Sequence, residues 1–120
     1  MISKQTSYYK INFYKNFVIA EAIEDVVITS DVVNETLELI LDHYKEQNFT
    51  LIAHRKNNYT VDLKAYDLER MKRLSAIAIV SPHSMVKEKA MAEQLAFNQS
   101  FAFFETLEDA IGWAENVIST

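Results

Sequence analysis

Residues 76–80 read Ala-Ile-Ala-Ile-Val, an unbroken apolar run closed by Ser81-Pro82. Five residues is strand length. A strand apolar at every position is one covered on both faces, not one. Such strands sit in parallel sheets flanked by helices, so the run points to an α/β domain. The flanks agree. Upstream, residues 49–53 (FTLIA) form a second short apolar strand. Between the two, Asp62 is placed to cap a helix with Leu63, Tyr66, Met71 and Leu74 on one face. Downstream, Pro82 suits the first position of a helix expected to reach about Phe97, with Val86, Ala90, Met91 and Leu95 facing inward. Residues 100–104 (SFAFF) make the last strand. Thr106 and Asp109 have the spacing of a capping box, with Asp in place of the usual Glu or Gln. The final helix then carries Leu107, Ala110, Ile111, Ala114, Val117 and Ile118 on one stripe, with Gly112 and Trp113 off its centre.

The N-terminal half starts differently. Residues 8–14 (YYKINFY) alternate apolar and polar, and residues 17–23 (FVIAEAI) follow a break at Lys15-Asn16. That is a hairpin pattern. Residues 26–29 (VVIT) extend the second arm or form a short strand of their own. Ser30 or Asp31 is the expected N-cap of a helix from Val32 to Gln47, with Val33, Leu37, Ile40, Leu41 and Tyr44 on its apolar face. Residues 1–7 are expected to be a loose N-terminal tail. The whole reads as one α/β domain over residues 1–120. It has a mixed β-sheet of about five strands and four α-helices, an N-terminal hairpin followed by repeated αβ units with right-handed crossovers.

Composition narrows the function classes. Hydrophobic residues make up 49% of the 120, enough for a true core. There is no cysteine, which removes disulfides, thiolate metal sites and cysteine nucleophiles. One glycine rules out a glycine-rich phosphate loop. The net charge of −5 argues against a general nucleic-acid binder. No run approaches the roughly 20 apolar residues of a membrane span. No secretory h-region opens the chain, so a cytoplasmic protein is expected.

Ligands in open α/β sheets bind beyond the carboxyl ends of the parallel strands. Two such ends carry polar clusters: His54, Arg55, Lys56, Asn57, Asn58, Tyr59 and Thr60 after one strand, and Ser81, Pro82, His83 and Ser84 after the next. With adjacent strands, these loops share one edge with two helix N-termini. Cations, imidazoles and free backbone N–H groups together attract anions. The candidate ligand-binding residues are therefore His54, Arg55, Lys56, Asn57, Tyr59, Ser81, His83 and Ser84. The same residues have plain readings as helix caps and solvated loop charges. The three scattered histidines fit no metal-binding spacing, so neither a metal site nor a cofactor is expected. Ser81 near His83 lacks a nucleophile elbow, so no catalytic group is assigned. Two alternatives stand beside binding. One is a small enzyme with His54 or His83 as general base. The other is a structural homodimer signalled by exposed Tyr8, Phe17 or Trp113.

Three segments, HRKNNYTVDLKAYDL, AIAIVSP and FAFFETLEDAIGWAENV, resemble the small SpoIIAA-like members of the STAS superfamily, as found in Bacteroidetes-type bacteria. The resemblance spans roughly Tyr8 to Ile118. Its most specific cues are Arg55, Asn57, Tyr59, Thr60 and Val61 in one segment, and Glu105 through Ile111 with Trp113 in the other. It implies a five-strand, four-helix mixed sheet and a regulatory or binding module, not an enzyme, that meets a protein partner or a small anion. Anti-sigma-factor antagonists of this superfamily are phosphorylated on the serine of an Asp-Ser pair at a helix start. This chain has Thr60-Val61-Asp62 there, which leaves Thr60 as a substitute phosphorylation candidate. Lipid binders of the CRAL-TRIO type share related architecture, but 120 residues leave little room for a lipid-sized cavity.

Overall fold

The computed structural model describes residues 2–23, 27–56, 60–61, 74–97 and 100–119. The apolar run at 76–80 lies in strand β7 (Leu74–Val80), where every residue from Ala76 to Val80 is at most 2% exposed. Burial on both faces is what the unbroken pattern requires. β7 lies between β5 (Phe49–His54) and β8 (Ser100–Phe104), parallel to both. β3 (Phe17–Ala22) runs parallel to β5 on its far side. β2 (Tyr9–Phe13) returns antiparallel to β3, which confirms the hairpin.

One more strand completes the sheet. β1 (Ile2–Gln5) pairs antiparallel with β2, so residues 2–5 are not the loose tail expected. The turn between them explains why. Thr6 Oγ1 accepts from the N–H of Tyr8 and Tyr9, and Thr6 N–H donates to the Tyr9 carbonyl at 2.8 Å. The main sheet therefore has six strands, not five, in the order β1-β2-β3-β5-β7-β8. A separate two-residue parallel ladder joins β4 (Val27–Ile28) to β6 (Thr60–Val61), so Val27 and Ile28 form their own strand.

Three helices occur among the described residues, against four expected; the helix expected after Asp62 falls on residues outside them. α1 (Ser30–Tyr44) is capped by Thr29, one position before the expected Ser30 or Asp31. The Thr29 hydroxyl accepts from Val32 N–H at 3.4 Å, and Asp31 lies in the first turn, where its charge suits the helix dipole. The helix stops at Tyr44, short of Gln47. Lys45 turns to φ 56° and its N–H closes on the Leu41 carbonyl at 2.7 Å. α2 (Ser84–Ala96) has His83 as N-cap, so Pro82 stands in the preceding turn and not at the first helical position. Ser81 Oγ holds that turn by accepting from His83 N–H at 3.1 Å. α3 (Leu107–Ser119) starts where expected, with Thr106 Oγ1 accepting from Asp109 N–H.

The helices split the core. α1 and α2 cover one face of the sheet, with Phe13, Val18, Phe49, Ile77 and Ile79 packed beneath Leu37, Ile40, Val86 and Phe97. α3 covers the other face, over Ile19, Ile52, Ala78 and Val80. α3 touches β5, β7 and β8. On that second face, β1 and β2 present Ser3, Gln5, Lys10 and Asn12, polar positions that the strand period sets opposite the core. Half of one sheet face is thus built apolar and the other half polar.

Candidate functional site

The strand register lines up one row across the whole sheet: Gln5, Lys10, Glu21, His54, Val80 and Phe104. Directly opposite residues share a face. Val80 and Phe104 end the row inside the α3-covered core, where Phe104 packs on Trp113 at 5.6 Å between ring centroids. From His54 outward the row turns polar. It crosses the carboxyl ends of the parallel strands β3 and β5, the edge where this class of sheet binds ligands.

Glu21 is the centre of the polar half. Lys56 Nζ lies 3.3 Å from one carboxylate oxygen and His54 Nδ1 lies 4.0 Å from the other. Lys10 is Glu21's direct cross-strand partner. The His54 side chain is only 16% exposed, and Lys56 is 59% exposed. Burial pushes the His54 pKa below its ordinary 6.5; the Glu21 carboxylate opposes that and the Lys56 ammonium adds to it. Beside the row, Ser3, Lys4, Gln5, Lys10, Asn12 and Glu21 line a shallow concavity of about 400 Å³. The Lys10 ammonium and the Glu21 carboxylate, with the amides of Gln5 and Asn12 and the Ser3 hydroxyl, can hold a small polar molecule by charge and hydrogen bonds, while the Lys4 ammonium turns to the other face, 5.6 Å over the Phe13 ring.

The two loops singled out by sequence do meet. His83 Nε2 lies 2.9 Å from the Lys56 carbonyl, and Arg55 N–H donates to the Val80 carbonyl at 2.7 Å. Their side chains divide between the faces. His54 and Lys56 reach Glu21. Arg55 turns the other way, beneath α2, where it is 2% exposed and forms a two-pronged ion pair with Glu93, itself 1% exposed. Arg55 is therefore not a cation offered to solvent at this edge. The period of two along an extended chain puts neighbours on opposite faces. Ser81 is fully buried and serves the turn before α2. His83 is exposed. Asn57 and Tyr59 lie outside the described residues, as do the side chains of Thr60 and Ser84.

The inward face of α2 also differs from expectation. Met91 and Leu95 are 61% and 91% exposed. The Arg55–Glu93 pair occupies the side of α2 that faces the sheet, together with Val86, Ala90 and Phe97, and so fixes its rotation. Of the aromatic residues that would mark a structural dimer, Phe17 is buried, Trp113 is half-buried and Tyr8 is 40% exposed.

Sequence reading missed Lys10, Asn12, Glu21 and Glu93. The first two were visible as the polar positions of an alternating strand. Glu21 was visible as the single acid in FVIAEA. Glu93 carried no signal, because a buried charge on a helix looks like any other charge until its partner is placed.

No protein-family model and no curated protein matches the chain. Among solved structures, the chain is similar to an uncharacterised protein of the DUF3478 family from Shewanella loihica PV-4, a crystal structure with a SpoIIAA-like fold. The TM-score is 0.64 at 15% identity, covering 95% of this chain and 99% of that one. No helix among the described residues is long and apolar enough to cross a membrane. The likeness is one of architecture: this chain carries a SpoIIAA-like fold.

Proposed function

We propose that this chain is a non-enzymatic binding module whose site is the polar half of the cross-sheet row, taking a small anionic ligand between Lys10 and Lys56. The observation that carries the reading is the row itself. Gln5, Lys10, Glu21 and His54 fall in register on an open sheet face beside a concavity, at the carboxyl edge of β3 and β5. Glu21 holds Lys56 3.3 Å away on the side toward β5, and the amides of Gln5 and Asn12 supply further polar contacts in the concavity. A regulatory role fits a small domain whose ligand contacts an exposed face.

A thermal-shift series with inorganic phosphate, sulfate and citrate tests the proposal. At least one of the three is expected to raise the melting temperature, and Lys10→Ala to abolish the rise while leaving the unliganded melting temperature in place. No shift with any of them removes the small-anion reading.

The half-buried His54 beside Glu21 favours a second reading, in which the imidazole accepts a proton from a bound substrate. That role needs the ring neutral near pH 7, which burial favours. Following the His54 ring proton by NMR across pH checks it, and a titration midpoint above the ordinary 6.5 contradicts it.

A further inference from the structure

The two edges of the sheet are built differently. β1 is four residues long, exposed throughout, and carries Lys4. Short, charged edge strands resist pairing with another chain. β8 is Ser-Phe-Ala-Phe-Phe, with no charge, no proline and an unbroken register against β7. Among the described residues no strand pairs its outer side. One hydrogen bond orients its backbone: the Phe104 carbonyl accepts from Ser81 N–H at 3.1 Å, toward β7. The N–H and C=O of a residue point the same way and alternate along a strand, so Phe101 and Phe103 turn theirs outward.

α2 lies alongside. Glu93 reaches inward to Arg55 at the end of β5, while the Lys87 ammonium stands 6.0 Å over the Phe103 ring of β8. These two contacts fix the helix rotation. Val86, Ala90 and Glu93 take the side of the helix toward the sheet, so Lys87 flanks β8, Met91 stands above that flank and Leu95 points away from the sheet. Met91 and Leu95 are two of the four exposed large hydrophobic residues among those described.

We propose that this edge is a homodimer interface, in which β8 pairs antiparallel with β8 of a second copy about a twofold axis at Ala102. In that register Phe101 of each copy exchanges hydrogen bonds with Phe103 of the other. Ala102 then faces its own counterpart at the position where opposing side chains come closest, and a small residue fits there. The same axis lays the two α2 helices antiparallel, so the two Met91 side chains are brought toward each other. Charge agrees. α2 has no acidic residue in its first turn and no basic residue in its last. An antiparallel partner brings the Lys87 end of one helix to the carbonyl end of the other. A foreign extended peptide would fill the strand slot alone; a second copy supplies the strand and the apolar helix flank together, as an isologous interface requires.

Sedimentation equilibrium of the full chain over a concentration series, joined to amide hydrogen exchange, tests this. The expected mass rises toward twice the 13.9 kDa of the chain. The Phe101 and Phe103 amides become protected as it rises, and exchange faster on dilution. Met91→Glu changes only an exposed position, and circular dichroism should confirm an intact fold. The variant is expected to raise the dimer dissociation constant by at least about tenfold, since a buried apolar anchor is replaced by a charge. A chain monomeric at every concentration overturns the proposal. So does a dimer that the variant leaves intact while the Phe101 and Phe103 amides exchange freely. Protection of those amides only on addition of an extended peptide would give the edge to a foreign strand, and also overturns the second copy.

Discussion

Arg55 and Lys56 are neighbours in sequence and face opposite sides of the sheet. Arg55 is paired with Glu93 in the core, and Lys56 reaches Glu21 near solvent. Removing one member of a buried pair strands the other charge. Arg55→Ala is therefore expected to cost about 3–5 kcal/mol of stability, read by urea unfolding. Replacing both partners at once, Arg55→Met with Glu93→Leu, is expected to recover most of that loss. If Arg55→Ala proves neutral, the pair is not what positions α2. The chain around Arg55 is where legibility in the sequence ended. The loop could be located from its polarity and its place before a helix. Which of two adjacent cations enters the core depends on strand phase and on Glu93, thirty-eight residues away.

His54 makes a second prediction at this scale. Its folded pKa lies below the ordinary 6.5, so the unfolded chain binds that proton more tightly. Stability is then level above that range and is lost as pH falls through 6.5 toward the lowered folded value. Glu21 and Lys56 both face the ring, and Lys10 sits one strand further on Glu21's far side, so the lysines must stay in place for the comparison. Urea titrations at several pH values should show this acid slope, and His54→Gln should flatten it. A slope unchanged in the variant would contradict the assignment.

At the scale of elements, the end of α1 carries two devices. Lys45 holds φ 56°, a conformation that suits glycine and strains other residues. Lys45→Gly is expected to raise stability by about 1 kcal/mol, measured by thermal unfolding. Tyr44 ties the helix to the hairpin: its Oη lies 2.7 Å from the Tyr14 carbonyl and 2.6 Å from that of Phe17. Burial pushes its pKa up to about 12. Tyr44→Phe removes that hydroxyl donor, while the Phe17 carbonyl keeps the Tyr14 N–H at 2.9 Å, and is expected to cost about 1–2 kcal/mol. The elements themselves were largely legible, because β7, β5, β8 and the hairpin each carry a clean hydrophobic period. β1 was not: Ile-Ser-Lys-Gln buries nothing, and it is a strand only because β2 has an edge to offer. The rotation of α2 was hidden for the opposite reason, since Glu93 interrupts the apolar stripe from which rotation is read.

At the scale of the molecule, three helices cover one six-stranded sheet unevenly among the described residues. α3 seals the face over β5, β7 and β8 and leaves the polar strands β1 and β2 outside its reach. The boundary of that cover passes His54. A fold that needed only stability would place apolar residues across the row and cover them; this one keeps Gln5, Lys10, Glu21 and His54 polar at the carboxyl edge. The most direct measurement is an amide NMR titration of the native chain with inorganic phosphate and with citrate. The account predicts saturable shifts confined to residues 3–12, 20–22 and 54–56, together with the turn at His83. Shifts centred elsewhere, or none with either anion, would contradict it.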